Sequence, residues 1–268
     1  MKFHWMAIIF LFQGRMSVTI PILRDPSANN KSPLTKGMAK IPAGDYKPFI
    51  EQNDQPDLHR IGSFYLDIHA VTNQDFMAFV KTNPQWSRSK VSRLNADAGY
   101  LSQWKGDFDI GDPRILQSPV THVSWFAANA YCKWKGKRLP TQEEWEYAAG
   151  APPKGMKKGQ KLSQIILGWY EKPSPAVLPP VQSTYENVFG VFDMHGLIWE
   201  WVYDFNDNAG NLSGMENNFS CAAGSLNTSD KEDYAAYMRY AFRQGLKGNY
   251  TVADLGFRCA LDTSLLKP

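Results

Sequence analysis

Residues 119–149 read PVTHVSWFAANAYCKWKGKRLPTQEEWEYAA and contain two consecutive helix starts. Ser124 is a favourable N-cap residue, because its hydroxyl oxygen can accept a hydrogen bond from a free N–H group of the first turn, and Gly136 is a typical helix stop. Thr141 and Glu144 have the spacing of a capping box, in which each side chain bonds the backbone N–H of the other residue. The stretch therefore predicts two short helices joined by a turn.

The flanking sequence favours short elements separated by long irregular segments. Residues 61–71 alternate between apolar and polar side chains, which predicts a strand. Thr72 is placed to cap a helix that would end at Asn83, the residue before a proline. Residues 86–118 read as irregular, and residues 151–184, rich in Lys, Gly and Pro, read as an exposed insertion. We therefore expect a single α+β domain with a high loop fraction.

The composition excludes several classes of protein. The 268 residues are 43% hydrophobic and 13% aromatic, which is enough to bury a core and is atypical of disordered or coiled-coil chains. The formal net charge is +3 and no basic run occurs, so we expect no nucleic-acid partner. The membrane-like run Trp5–Phe12 has eight apolar residues, whereas a bilayer span needs about 20, so we expect no integral membrane span.

The same run has the length of the apolar core of a secretory signal peptide, and we interpret residues 1–15 as such a peptide. Residues 16–38 are polar and rich in Pro, Ser and Asn, and we interpret them as a flexible lead-in to a domain over residues 39–268. We expect the protein to be periplasmic or secreted. If translation starts at Met16, the protein is instead cytoplasmic.

Residues 119–149 and four further segments resemble the sulfatase-modifying-factor family, which is the formylglycine-generating enzyme family. These segments occur in the family's order and are Ala70–Phe76 (AVTNQDF), Asn187–Trp201 (NVFGVFDMHGLIWEW), Ala223–Ser225 (AGS) and Leu255–Cys259 (LGFRC). Together they span roughly residues 39–261. The resemblance implies that family's fold, which is a loop-rich variant of the C-type lectin fold.

The oxidases of this family hold copper with two cysteines that lie shortly after the Gly-Ser element. The matching stretch here, Leu226–Arg243, reads LNTSDKEDYAAYMRYAFR and contains no cysteine. Because thiolates are the ligands that Cu(I) prefers, the sequence argues against copper and against formylglycine generation by the known mechanism. The five histidines show no HxH or HxxxH spacing, which argues against an iron site as well.

The segment Asp193–Glu200 resembles a calcium loop of the family. By that resemblance, the side chains of Asp193 and Glu200 are two of the ligands. The backbone carbonyl groups of Gly196 and Ile198 complete a set of oxygen donors, the type that Ca²⁺ prefers. The alternative is a carboxylate pair that is hydrogen-bonded into a turn without a metal. Calcium is the cofactor that we expect.

The resemblance also places a ligand groove near Trp199, Ser225 and Tyr234. We add Arg239 to this groove as a candidate for binding an anionic ligand. Arg239 and Arg243 are four residues apart, and structural ion pairs or solvated charges are the alternatives to a ligand role.

Three cysteines allow at most one intramolecular disulfide. The resemblance implies a pair between Cys132 and Cys259, as in some exported relatives. Such a cross-link over more than one hundred residues would stabilise the fold by up to ~4.7 kcal/mol, whereas in a cytosolic chain both would be reduced core residues. Cys221 is the candidate catalytic thiol or metal ligand, with a buried hydrophobic role as the alternative.

We interpret the chain as a non-oxidase accessory or binding protein of this family with a protein or peptide partner. Residues 86–118 and 220–259 resemble most the branch that is associated with copper nitrite reductases. Assistance in the maturation of a copper or other redox enzyme is therefore the specific hypothesis. The alternative is an oxidoreductase with a rearranged metal site around Cys221 or His195, and the second alternative is a lectin-like carbohydrate-binding module.

Overall fold

The computed structural model describes residues 33–48, 58–206 and 231–266, with side chains from Tyr234 onward in the last range. Its strands are β1 (Met38–Ile41), β2 (Gly44–Tyr46), β3 (His59–Ile61), β4 (Phe64–Asp67), β5 (Trp199–Glu200), β6 (Leu255–Gly256) and β7 (Ala260–Asp262). Its helices are α1 (Asn73–Thr82), α2 (Trp125–Trp134), α3 (Gln142–Ala149), α4 (Leu162–Tyr170) and α5 (Lys231–Gln244). The predicted α+β class with a high loop fraction is confirmed. In these ranges no helix combines the length and the apolar character that a membrane crossing requires.

The strands form three small sheets. β1, β4 and β7 make a three-stranded antiparallel sheet, β2 pairs with β3, and β5 pairs with β6 in parallel. The single strand predicted over residues 61–71 was wrong, because the chain leaves β3 at Gly62 and enters a different sheet at Phe64. An alternating pattern indicates that one face of a segment is buried, but it does not indicate which strand is the hydrogen-bonding partner.

The predicted helix starts are confirmed at atomic detail. Thr72, Ser124 and Thr141 each accept a hydrogen bond from an N–H group three residues further on, at 3.1, 3.2 and 3.2 Å. The Glu144 carboxylate accepts from the Thr141 N–H at 2.9 Å, which completes the capping box. Gly136 follows α2 with φ +70°, a conformation that glycine adopts without a steric penalty.

An aromatic core joins α1, α2 and the C-terminal segment. The ring centroid of Tyr131 on α2 lies 5.8 Å from Phe76, 5.6 Å from Phe79 and 5.4 Å from Phe257. All four side chains are buried, and aromatic pairs at these distances contribute beyond their buried area. The core therefore connects parts of the chain that are far apart in sequence.

A disulfide lies beside this core. The structure links Cys132 of α2 to Cys259, which lies between β6 and β7, with Cα atoms 5.6 Å apart. Both residues are fully buried, and they are 127 residues apart in the sequence. This is the pair that the resemblance implied.

Residues 86–118 form turns and short 3₁₀ segments, as predicted, and one buried side chain holds them in place. The amide nitrogen of Asn73 donates to the carbonyl groups of Ile115, Ser118 and Pro119 at 2.9, 3.1 and 3.1 Å. Its amide oxygen accepts from the indole N–H of Trp104 at 2.8 Å. Asn73 thus fixes the middle and the C-terminal end of the irregular segment to the start of α1.

The described residues can be set beside two predicted segments. The domain was predicted to begin at residue 39; β1 begins at Met38, and a 3₁₀ turn with the buried Thr35 precedes it. Residues 1–15 and 16–32 lie outside the described ranges. The exposed insertion predicted over residues 151–184 contains helix α4, and its side chains Ser163 and Ile166 are buried.

Candidate functional site

Asp193 opens the loop that was predicted to bind calcium, and donors of the chain itself surround its carboxylate. Asp193 is 1% exposed and has φ +57°. The carboxylate accepts from the N–H and the hydroxyl group of Thr184, at 2.9 and 2.8 Å, and from the N–H of Gln182. A Cβ atom at Gly196, where φ is +99°, would lie 3.1 Å from Cγ2 of Thr184, so glycine allows the close approach. Asp193 therefore anchors this loop to residues 182–184.

Glu200, at the other end of the loop, belongs to a buried ion pair. Nε and Nη2 of Arg258 donate to its carboxylate at 2.8–3.0 Å, and the indole N–H of Trp145 donates at 2.8 Å. Arg258 also donates to the carbonyl groups of Asp67 and Phe192. The pair therefore connects β5 to β4 and to the segment before the calcium loop.

The groups around the carboxylates of Asp193 and Glu200 are arranged as a capped turn and an ion pair, respectively. A calcium ion here would share Glu200 with the guanidinium group of Arg258, a positive charge beside a second positive charge. Among the residues that the structure describes, no group of three or more His, Cys, Asp or Glu side chains is arranged to hold a metal ion. These hydrogen bonds favour the alternative that the sequence left open, a carboxylate pair bonded into the turn without a metal, and the calcium ligation implied by the resemblance is untested.

A second buried ion cluster fixes α5. Nε and Nη2 of Arg239 donate to both carboxylate oxygens of Glu146 at 2.7–3.0 Å, and Nη1 of Arg243 donates at 2.6 Å. These side chains are at most 10% exposed. Burial alone would raise the pKa of Glu146, but the two guanidinium groups outweigh it and lower this pKa to about 2.

The two arginines thus form structural ion pairs, which was one of the alternatives left open by the sequence. Their partner Glu146 was not predicted, because it is 93 residues from Arg239 in the sequence. The spacing of the two arginines was the one available signal, since residues four apart lie on the same helix face.

The groove candidate Trp199 packs against aromatic side chains of α4 and α5. Its ring centroid lies 5.1 Å from Tyr170, 5.3 Å from Trp169 and 4.5 Å from Phe242. The planes of Trp199 and Tyr170 are 16° apart, which is a stacked arrangement. The insertion that was predicted to be exposed therefore contributes to the wall around Trp199.

A cavity of about 270 Å³ lies beside the cluster of Glu146, Arg239 and Arg243. It is lined by Ala149, Gly150, Leu162, Ser163, Ile166, His195, Ala235 and Arg239. His195 is 1% exposed, and its Nε2 lies 3.2 Å from the carbonyl oxygen of Ala149. Burial, and then the charge of Arg239, lower the pKa of His195 to about 3, so the ring is neutral at neutral pH.

Comparison with known proteins identifies the family. The model of the sulfatase-modifying factor enzyme 1-like domain matches residues 24–263. The chain belongs to this family. The α+β architecture, with its loop between Asp193 and Glu200, is therefore that of a sulfatase-modifying-factor domain.

Relatives of this sulfatase-modifying-factor domain carry different names. It is 34% identical over 281 residues to "Inactive C-alpha-formylglycine-generating enzyme 2" of Mus musculus, covering 85% of this chain and 88% of the relative. It is 28% identical over 298 residues to the formylglycine-generating enzyme of Streptomyces coelicolor, covering 90% and 93%. One relative is named as an enzyme and the other as inactive, so membership of the family does not decide activity.

A third relative is much longer than this chain. The sulfatase-modifying-factor domain is 29% identical over 233 residues to "Serine/threonine-protein kinase Pkn1" of Chlamydia trachomatis, covering 79% of this chain. It spans only 35% of the length of that kinase.

The described groove candidates of the sulfatase-modifying-factor domain differ in environment. Tyr234, on the first turns of α5, is 43% exposed, whereas Arg239 is 8% exposed and paired. The hydroxyl group of Tyr170, which stacks on Trp199, lies 3.5 Å from the carbonyl oxygen of Ala235. Cys221 and Ser225 lie outside the described residues, and their roles stay predictions.

Proposed function

We propose that the chain is a non-oxidase member of the sulfatase-modifying-factor family that acts as a binding or accessory protein. The observation that carries this proposal is the stretch Leu226–Arg243, which matches the cysteine-bearing stretch of the oxidases and has no cysteine. Among its described side chains, Ala235, Arg239, Tyr240 and Arg243 are buried and pack α5, whereas Tyr234 is exposed.

The inward side chains of α5 are unsuited to a soft metal. Ala235 is 1% exposed, and Arg239 and Arg243 hold Glu146. Cu(I) prefers sulfur ligands, and the net positive charge of the cluster of Glu146, Arg239 and Arg243 would repel a cation in a medium of low dielectric constant. The chemistry of α5 therefore supports a role other than copper-dependent oxidation.

We propose a protein or peptide as the partner, and more specifically a copper-containing redox enzyme whose maturation the chain assists. The resemblance of residues 86–118 and 220–259 to the branch associated with copper nitrite reductases supports this choice. The exposed rings of Tyr234 and Tyr203, 43% and 53% exposed, are side chains of the type enriched at protein interfaces.

We also propose that the protein is exported. A buried disulfide between Cys132 and Cys259 supports an oxidising compartment, because cytosolic thiols are kept reduced. Titration of free thiols in the denatured protein, purified from its native host, tests this. One free thiol, from Cys221, is expected, and three free thiols would contradict export.

A turnover assay separates the binding protein from the oxidoreductase alternative. The full chain is incubated with Cu(I), oxygen and a peptide that contains one cysteine, and the peptide mass is followed. The Streptomyces coelicolor formylglycine-generating enzyme is the positive control. We expect no conversion by this chain, and conversion that is lost in Cys221→Ser would overturn the proposal.

The accessory role needs a separate measurement. A copper nitrite reductase is produced with and without the chain, and its copper content and specific activity are compared. The accessory role predicts higher copper occupancy in the presence of the chain. Equal copper occupancy with and without the chain, at both limiting and excess copper, would reject this role.

A further inference from the structure

Two residues that line the 270 Å³ cavity each have a buried polar atom with no hydrogen-bond partner among the described residues. These atoms are Nδ1 of His195 and the hydroxyl oxygen of Ser163, and both residues are 1% exposed. Buried polar atoms in folded proteins are nearly always hydrogen-bonded. Two such atoms in residues that line one cavity indicate that a bound molecule supplies their partners.

The chemistry of the two atoms defines what the molecule must offer. The carbonyl oxygen of Ala149 can only accept, so Nε2 of His195 carries the hydrogen and Nδ1 carries a lone pair. Ser163 can both donate and accept. A hydroxyl group has the chemistry to complement either atom, because it can donate to His195 and can accept from Ser163.

The charges around the cavity favour an uncharged molecule. An anion would face the lone pair of His195, and a cation would face the guanidinium group of Arg239. The single carboxylate of Glu146 pairs with both Arg239 and Arg243, so the cluster carries one net positive charge, which disfavours a cation. Nε, Nη1 and Nη2 of Arg239 already donate to Glu146 and to the carbonyl oxygen of Ala235, and a charged ligand loses hydration on entry, which is costly unless a counter-charge contacts it directly.

The remaining surface and the volume limit the size of the molecule. Apart from Arg239, the other side chains that line the cavity are apolar, from Leu162, Ile166, Ala149 and Ala235. A volume of about 270 Å³ exceeds the roughly 150 Å³ of an apolar cavity that binds benzene, so a single ring fits. The occupant is therefore compact and mainly apolar.

We propose that this cavity is a binding site for a compact, uncharged, mainly apolar molecule that carries one hydroxyl group, with phenol as the simplest probe. The proposal goes beyond the function proposed above and does not depend on it.

Calorimetric titration of the full chain with phenol, anisole and toluene tests the proposal. Anisole can accept from Ser163 but cannot donate to His195, and toluene can do neither. We expect saturable 1:1 binding of phenol and at least about fivefold weaker binding of the other two, the effect of a lost buried hydrogen bond.

Variants locate the site. Ser163→Ala should weaken phenol binding about fivefold, and Ala235→Leu should also weaken it by occupying part of the cavity. Ser118→Ala, which removes a buried hydroxyl group that does not line this cavity, is the matched control and should leave the affinity unchanged. Circular dichroism of each variant verifies folding.

Two peptides test whether the hydroxyl-bearing ring can be part of a polypeptide. Binding of Gly-Tyr-Gly but not Gly-Phe-Gly, with the same response to Ser163→Ala, would show that the ring can arrive on a polypeptide. Binding of phenol alone would show a site for free molecules. Equal affinities for phenol and toluene, affinities unaffected by Ser163→Ala and Ala235→Leu, or no saturation by phenol up to about 10 mM would each overturn the proposal.

Discussion

Replacing Glu146 by Gln leaves Arg239 and Arg243 buried without their counter-charge. Removal of one partner from a buried ion pair costs about 3–5 kcal/mol. The pKa of Glu146, about 2 against an ordinary 4.5, leads to a similar figure of about 3 kcal/mol at about 1.4 kcal/mol per pKa unit. We therefore expect Glu146→Gln to lower the free energy of unfolding by about 3–4 kcal/mol at neutral pH.

Urea unfolding followed by tryptophan fluorescence measures this loss, and its pH dependence tests the cause. The pKa of Glu146 is lower in the folded state than in the unfolded state. The stabilisation is therefore fully present above the unfolded value of 4.5 and is lost as the pH falls toward the folded value of about 2. The difference between wild type and Glu146→Gln should be constant near neutral pH and should shrink across this acidic range.

Glu171→Gln is the control, because this exposed residue follows α4 and should change the stability by less than about 0.5 kcal/mol. The double variant Glu146→Gln/Arg239→Met should recover part of the loss, since it removes one of the two uncompensated charges. A loss below about 1 kcal/mol for Glu146→Gln, or a loss independent of pH down to about pH 2, would refute the reasoning.

Three further changes have defined outcomes. Replacing Cys132 and Cys259 by Ala should lower the free energy of unfolding, measured in urea, by about 3–5 kcal/mol. A loss below about 1 kcal/mol would show that the cross-link adds little stability. Asn73→Ala should cost about 2–4 kcal/mol and increase hydrogen exchange in residues 115–119, because three carbonyl groups each lose one hydrogen bond and the Trp104 N–H loses its partner. Unchanged exchange would contradict the anchoring role. EDTA should leave the melting temperature unchanged, since N–H groups of the chain already donate to the carboxylates of Asp193 and Glu200. A lower melting temperature that is restored by calcium alone would establish the calcium site.

Features that depend on neighbouring residues were predictable from the sequence. The caps at Thr72, Ser124 and Thr141 were correct, because a capping hydrogen bond spans only three residues. Gly136 was correct for the same local reason, since its positive φ is required at the end of α2. The order of the family's motifs supplied the fold class.

Features that depend on distant contacts were not predictable in this way. Helix α4 was missed, because Lys, Gly and Pro on both sides outweighed its short apolar run, and because its buried face packs on α5, far along the chain. Glu146 meets its arginines across more than ninety residues, and Glu200 meets Arg258 across 58. Pattern and composition report exposure along a segment, whereas these pairs are set by tertiary packing.

Copper content after loading is the most direct test of the proposed non-oxidase function. The full chain is reconstituted with Cu(I) without oxygen, desalted and analysed by mass spectrometry, with a Cys221→Ser variant alongside. The absence of cysteine from Leu226–Arg243 predicts that both proteins retain only trace copper. Near-stoichiometric copper in the wild type that disappears in Cys221→Ser would contradict the proposed function and would favour a rearranged oxidase site.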